Sequence, residues 1–173
     1  TPPSWPLSRS SCRVRERELT GDLPGKVAIR PGAGAAGLER YGCLRPRLGW
    51  RPRHALLFRG DELVAAAPAY LKDNSHGEFV FDHAWAHAYA HYGVPYYPKW
   101  LAAVPYSPVT GPRVLAKDAA AQRELLEAML QRLRADGLSS LHFNFLPEEE
   151  LPAFDERWLA RGDVQFQWRN DAG

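Results

Sequence analysis

Residues 118–136 place the strongest constraint on how this chain can fold. Leu125, Leu126, Met129, Leu130 and Leu133 recur there at the spacing of one helix face. Asp118 is placed to cap the N-terminus of such a helix, and Gly137 to end it. The runs on either side, KWLAAVPY (99–106) and SLHFNFL (140–146), read as strands. A helix set between two strands is the unit of a mixed α/β domain.

The preceding sequence adds strands that pair locally. HALLF (54–58) and ELVAAAPAYLK (62–72) read as a hairpin joined by a tight Gly-Asp turn. Pro68 marks an edge or a bulge in the second run. GEFVF (77–81) reads as a third strand, and FDHAWAHAYAHY (81–92) as a helix that Gly93 and Pro95 end. Further on, PEEELPAFDERWLAR (147–161) reads as a helix broken by Pro152, and DVQFQW (163–168) as a last alternating strand. Residues 1–26 carry no sustained periodicity, and a short helix is expected around 35–41 after the apolar run Val27-Ala28-Ile29. The expected fold is α/β, a mixed and mainly antiparallel sheet flanked by helices. It divides into an atypical or poorly ordered segment at 1–49 and a domain at 50–173.

Composition narrows the function. With 45% hydrophobic and 24% charged residues the chain has the make-up of a soluble globular protein. A net charge of +2 gives no case for nucleic acid or a membrane surface as partner. Arg9, Arg13, Arg15 and Arg17 cluster in a Ser/Pro-rich lead-in that reads as solvated chain. Two distant thiols, Cys12 and Cys43, form neither a disulfide framework nor a zinc motif, which fits a reducing cytoplasm. No apolar run approaches membrane-spanning length. The first residue, Thr1, and the abrupt end in QFQWRNDAG suggest a piece of a longer protein.

Three patterns could carry chemistry. His83, His87 and His91 follow Asp82 at four-residue steps, so a helix stacks them on one face with a drift of about 40° per step. Imidazoles at that spacing can share a metal. The blander reading is an amphipathic helix whose other face, Trp85, Ala88, Tyr89 and Tyr92, packs inward. GAGAAG (32–37) matches G-x-G-x-x-G literally. Arg30 and Pro31 separate it from its strand, Gly42 and Pro46 cut short the helix that should follow, and no acidic residue closes a second strand in place. It reads as a small-residue loop. Finally Lys72, Glu78, Asp82, Lys99 and Arg113 each fall at a predicted strand end or in the loop after it, where α/β sheets place binding groups. Lysines and arginine converging there could hold an anion such as a phosphate. His54 and His142 lie in strand-like runs and suit packing roles.

These residues carry a resemblance. Tyr70, Leu71, Lys72, Ser75, Gly77, Glu78, Phe79, Val80, Phe81 and Asp82 fit a run Y-L-K-x-x-S-x-G-E-Y/F-V-F-D. Tyr96, Tyr97, Pro98 and Lys99 fit Y-Y-P-K, and Val104 to Arg113 fit V-P-F/Y-S/T-P-V-x-G-x-R. In this the chain, from about Trp50 to Asn170, resembles the FemAB-like peptidoglycan biosynthesis/recognition proteins, N-acyltransferases of the GNAT superfamily. The histidines depart from the family pattern, so the resemblance implies no metal. The superfamily's pyrophosphate loop, Q/R-x-x-G-x-G/A, does not occur in the sequence.

The resemblance implies a GNAT-like half of a two-half cytoplasmic enzyme. It would transfer an acyl or aminoacyl group from acyl-CoA or aminoacyl-tRNA to an amine, for instance on a cell-wall precursor. Such a transfer needs a general base and backbone N–H donors for the oxyanion. Glu78 and Asp82 are the candidates for the base. Lys72, Lys99 and Arg113 are expected to contact anionic parts of a substrate, with Ser75 and Tyr97 positioning it. The alternative is a recognition module that binds a cell-wall precursor or a protein partner without turnover. Neither DNA nor a membrane span is expected, and the oligomeric state stays open.

Overall fold

A computed structural model describes the backbone of Ser8–Val14 and Lys26–Arg30, then Leu38 and residues 41–164. Among the described residues ten strands run in chain order: β1 (Ser8–Val14), β2 (Lys26–Arg30), β3 (Trp50–Pro52), β4 (His54–Arg59), β5 (Glu62–Ala67), β6 (Tyr70–Lys72), β7 (Lys99–Ala102), β8 (Leu115–Ala116), β9 (Leu141–Leu146) and β10 (Trp158–Asp163). Two α-helices are described, α1 (His83–His91) and α2 (Ala119–Ala135), with short 3-10 turns at Pro46–Leu48 and Glu148–Ala153. One sheet has the order β10-β1-β9-β7-β6-β3 and the other β2-β4-β5-β8. Every pairing is antiparallel except β7 with β9, which α2 connects in parallel. The result is the mixed, mainly antiparallel α/β architecture expected, consistent with a GNAT-like fold.

The two sheets share one bent hairpin. β3 pairs with β6 at its base in the first sheet, and β4 pairs with β5 at its tip in the second. Arg53 and Pro68-Ala69 form the bend. Proline has no N–H to leave unpaired there, and the Ala69 N–H is taken by His54 Nδ1 at 3.0 Å. The single long strand expected for 62–72 is therefore two, split at Pro68. Gly60, at φ 60°, makes the turn at the tip.

The helix over 118–136 forms as its periodicity predicts. The Asp118 carboxylate accepts the Ala121 N–H at 2.7 Å, and Gly137, at φ 60°, follows its end. Its stripe, Leu125, Leu126, Met129, Leu130 and Leu133, packs with Ala55 and Leu57 of β4, Val64 of β5, Trp100 of β7 and Phe143 of β9. The opposite face of the six-stranded sheet carries a second cluster, Leu44, Trp50, Tyr70, Leu101 and Ala103. β7 and β9 are buried on both faces, as the parallel centre of a sheet must be.

Three expectations are corrected. GEFVF is not a strand; the chain from Glu78 to Asp82 is irregular and pairs with no neighbour. α1 forms where expected but only part of its aromatic face packs inward: the Tyr89 ring meets that of buried Tyr96 edge-on at 5.2 Å, whereas Trp85 and Tyr92 are exposed. Residues 147–161 are a 3-10 turn followed by a strand, because Pro152 leaves no room for a longer helix and Trp158 turns into the core. The GAGAAG loop, most of the expected helix at 35–41, most of DVQFQW and the side chains of the arginine-rich lead-in lie outside the described residues.

Candidate functional site

β6 and β7 pair with Lys72 directly opposite Lys99. Alternation along the strands puts both on the sheet face away from α2, with Tyr70 and Leu101. Two ammonium groups side by side in a core are unfavourable unless each is answered. The loop that follows β6 answers them. Lys72 Nζ donates to His76 O at 3.0 Å and lies 3.7 Å from the centre of the Trp50 ring. Lys99 Nζ donates to Glu78 Oε2 at 2.8 Å, to Ser75 Oγ at 3.1 Å and to Asp82 Oδ2. Its three donors are thus all engaged.

A second ring of hydroxyls closes around these carboxylates. Tyr96 Oη donates to Asp82 Oδ2 at 2.6 Å, and Ser75 Oγ and Tyr97 Oη are 2.7 Å apart. Lys72, Glu78, Asp82 and Lys99 are all buried. Even so, Glu78 Oε1 and Asp82 Oδ1 are buried without a hydrogen-bond partner. Nearby, His142 is buried on β9 against Ser140 Oγ at 2.8 Å, and its ring stands edge-on to that of Tyr96.

The electrostatics separate the two carboxylates. Burial drives the Glu78 carboxyl up to about 7, overriding the pull of the Lys99 charge and hydrogen bond. At Asp82 burial also pushes upward, but Lys99 and the hydrogen bonds from Lys99, Ser75 and Tyr96 outweigh it and hold the group at about 2. Burial lowers Lys72 to about 8, against the opposing effect of Glu78. One acid fixed as an anion beside one poised near neutrality is the arrangement that divides acid–base roles in enzymes.

So the structure brings together Lys72, Ser75, Glu78, Asp82, Tyr97 and Lys99. Arg113 stands elsewhere. Its guanidinium donates from Nε to Asn144 O at 2.8 Å, from Nη1 to Gly111 O at 2.8 Å and from Nη2 to Val109 O. Its backbone N–H donates to Glu150 Oε2 at 3.0 Å, and Val114 N–H to Glu150 Oε1 at 3.4 Å. Arg113 pins the loop after β7 to β9 and to the Glu148–Ala153 turn. Two residues that sequence reasoning left out of the site complete the picture: Tyr96, which binds Asp82, and Trp50, which floors Lys72; beside Arg113, Asn144 is fully buried on β9 with both amide atoms unpartnered. Tyr96 was visible only as a neighbour of Tyr97, and Trp50 gave no local signal.

The histidines of α1 project from an exposed helix, and among the described residues no group of His, Cys, Asp or Glu could hold a metal ion. No described helix is long and apolar enough to cross a membrane. The model of the FemAB-like family, peptidoglycan biosynthesis/recognition, matches residues 35–172. The chain belongs to the FemAB-like family. No curated protein matches it. The matched span contains the whole Lys99 cluster, so this FemAB-like protein carries its buried charged cluster inside the stretch that the family shares.

Proposed function

We propose that this FemAB-like chain takes part in N-acyl transfer to an amine of a cell-wall precursor, with Glu78 as general base. The observation that carries the reading is the Glu78 carboxyl, held near neutrality with Oε1 unpartnered beside the fixed Lys99–Asp82 pair. An acceptor amine arrives as an ammonium and must lose a proton before it attacks. Glu78 takes that proton, the nitrogen forms a C–N bond to the donor's carbonyl carbon, and the thioester or ester bond breaks. The departing thiolate or alkoxide takes the second proton, which the nitrogen sheds as the amide forms, and Glu78 releases the first to solvent. Asp82 keeps Lys99 in place and Lys99 orients Glu78; Ser75 and Tyr97 position the acceptor.

The donor, acyl-CoA or aminoacyl-tRNA, supplies the activated carbonyl. The described residues fit its carbonyl end better than its phosphates. β7 and β9 pair in parallel only from Trp100 to Ala102 against Leu141 to Phe143, and past them the loop takes over, with Gly111 N–H donating to Phe145 O at 3.2 Å. The C-terminal ends of parallel strands are where open α/β sheets receive ligands. Lys99 and Arg113, by contrast, have their side-chain nitrogens engaged within the protein, so no phosphate contact is assigned to them.

The near-complete burial of Lys72, Glu78, Asp82 and Lys99 favours a second reading, a recognition module in which this cluster is a scaffold. One experiment separates the two. The chain is incubated with a UDP-linked muropeptide precursor and either acetyl-CoA or aminoacyl-tRNA, and the precursor is weighed by mass spectrometry. Catalysis predicts an added acyl mass, with Glu78→Gln slowing the reaction by about 10²–10⁴-fold. A precursor that raises the melting temperature but is never acylated supports recognition, and full-rate transfer by Glu78→Gln removes Glu78 from the mechanism.

A further inference from the structure

Lys72, Glu78, Asp82 and Lys99 are each at most 3% exposed. A ligand that meets Glu78 must therefore move something aside. Residues 104–108, the start of the loop after β7, are loosely held. They form no helix or strand, and only Pro105 among them is buried. Between them and the sheet lies a cavity of about 140 Å³ against Tyr70, Ala103, Val104, Pro105, Pro112 and Arg113, so the segment lacks close packing on its inner side. From Val109 onward the chain is fixed, because the Arg113 guanidinium holds the carbonyls of Val109 and Gly111.

Tyr106 holds the segment down. Its N–H donates to Gly77 O at 3.1 Å and its Oη to Cys43 O at 3.0 Å. Its ring stands 5.5 Å from that of Trp50 and covers Gly77, where a Cβ would sit 2.7 Å from it. Both neighbours adjoin open polar atoms. Trp50 Nε1 is buried without an acceptor, and Gly77 precedes Glu78, whose Oε1 is open. Tyr106 itself is 42% exposed and left-handed, at φ 57°, a conformation that a tyrosine keeps only where its contacts impose it.

We propose that residues 104–108 are a flap with Tyr106 as its latch, and that the flap lifts to let a ligand reach the Trp50–Glu78 side of the cluster. Pro105 and Pro108 fix φ and stiffen the segment, so it moves as a unit. Lifting it breaks the two hydrogen bonds of Tyr106 and leaves the Lys99 ion pairs whole. Swinging out residues 74–82 instead would part buried Glu78 and Asp82 from Lys99, a far costlier step. A ligand at Glu78 is the premise taken from the proposed function, whereas hydrogen exchange uses neither donor nor acceptor. Flap and base can therefore each fail alone.

Exchange of the indole N–H groups with deuterium, followed by ¹⁵N NMR, tests the flap. Trp100 is the reference: it is fully buried and its Nε1–H is bonded to Arg53 O at 2.9 Å, so it exchanges only when the core opens. Trp50 Nε1–H should exchange faster than Trp100 and with a weaker dependence on added urea, the mark of local opening. Tyr106→Ala should speed Trp50 about tenfold relative to Trp100. Tyr106→Phe, which keeps the ring and loses the bond to Cys43 O, should speed it about threefold. Trp50 exchange that tracks Trp100 in the wild type overturns the proposal, as does a Trp50 rate that Tyr106→Ala leaves unchanged relative to Trp100.

Discussion

Two buried ionic clusters sit along the same six-stranded sheet, and they are finished differently. Around Arg113, each guanidinium nitrogen has a carbonyl partner and both Glu150 oxygens take a backbone N–H. Around Lys99, the lysine is saturated but each acid keeps one buried oxygen without a partner. Both clusters pay the cost of desolvating charge. Only the second leaves carboxylate oxygens open, and a buried acceptor left open costs about 1–3 kcal/mol unless something fills it. The saturated cluster is a strut; the unsaturated one is where the proposed chemistry is placed.

The largest expected effect breaks the comparison outright. Lys99→Ala leaves two buried carboxylates unanswered and should cost about 3–5 kcal/mol in chemical denaturation, with transfer abolished. Arg113→Lys keeps the charge but loses the planar fork, and should cost about 1–3 kcal/mol while acyl transfer by the folded fraction continues. Loss of transfer at full stability in Arg113→Lys would contradict the division.

A smaller effect sharpens it through pH. The folded-state value of Glu78, about 7, lies above its ordinary 4.5, so between those values the folded state holds more protons than the unfolded one. Stability from this group is therefore full below about pH 4.5 and lost as pH rises through 7, by on the order of 3 kcal/mol. Asp82 runs the other way: its contribution is present above about 3.8 and lost as pH falls through 2. Glu78→Gln should flatten the decline between pH 4.5 and 7 in melting curves and leave the acid limb alone. An unchanged decline in Glu78→Gln would place the proton elsewhere.

The contrast also marks what the sequence could tell. α2, the β4–β5 hairpin and β9 were legible because their signals are local: a 3.6-residue stripe with caps, a Gly-Asp turn, an alternating run. GEFVF misled because its alternation is real but inverted, with Glu78 and Asp82 drawn inward by a lysine 21 and 17 residues away. Seven site residues could be named one at a time from the family resemblance. That six of them converge and Arg113 does not depends on the β6–β7 register, which no local pattern encodes. The aromatic side of α1 was legible only in part, for Tyr89 meets buried Tyr96 while Tyr92 stays uncovered, and nothing in a helix's own sequence says which neighbour covers it.

The most direct measurement is a ¹³C NMR titration of the side-chain carboxyl of Glu78, with Asp82 observed in the same sample. The account predicts that Glu78 titrates near 7 and Asp82 near 2 in the folded protein. A Glu78 carboxyl that titrates in the ordinary range near 4.5 would make the Lys99 cluster a plain ion-pair strut, and the assignment of chemistry to it would be wrong.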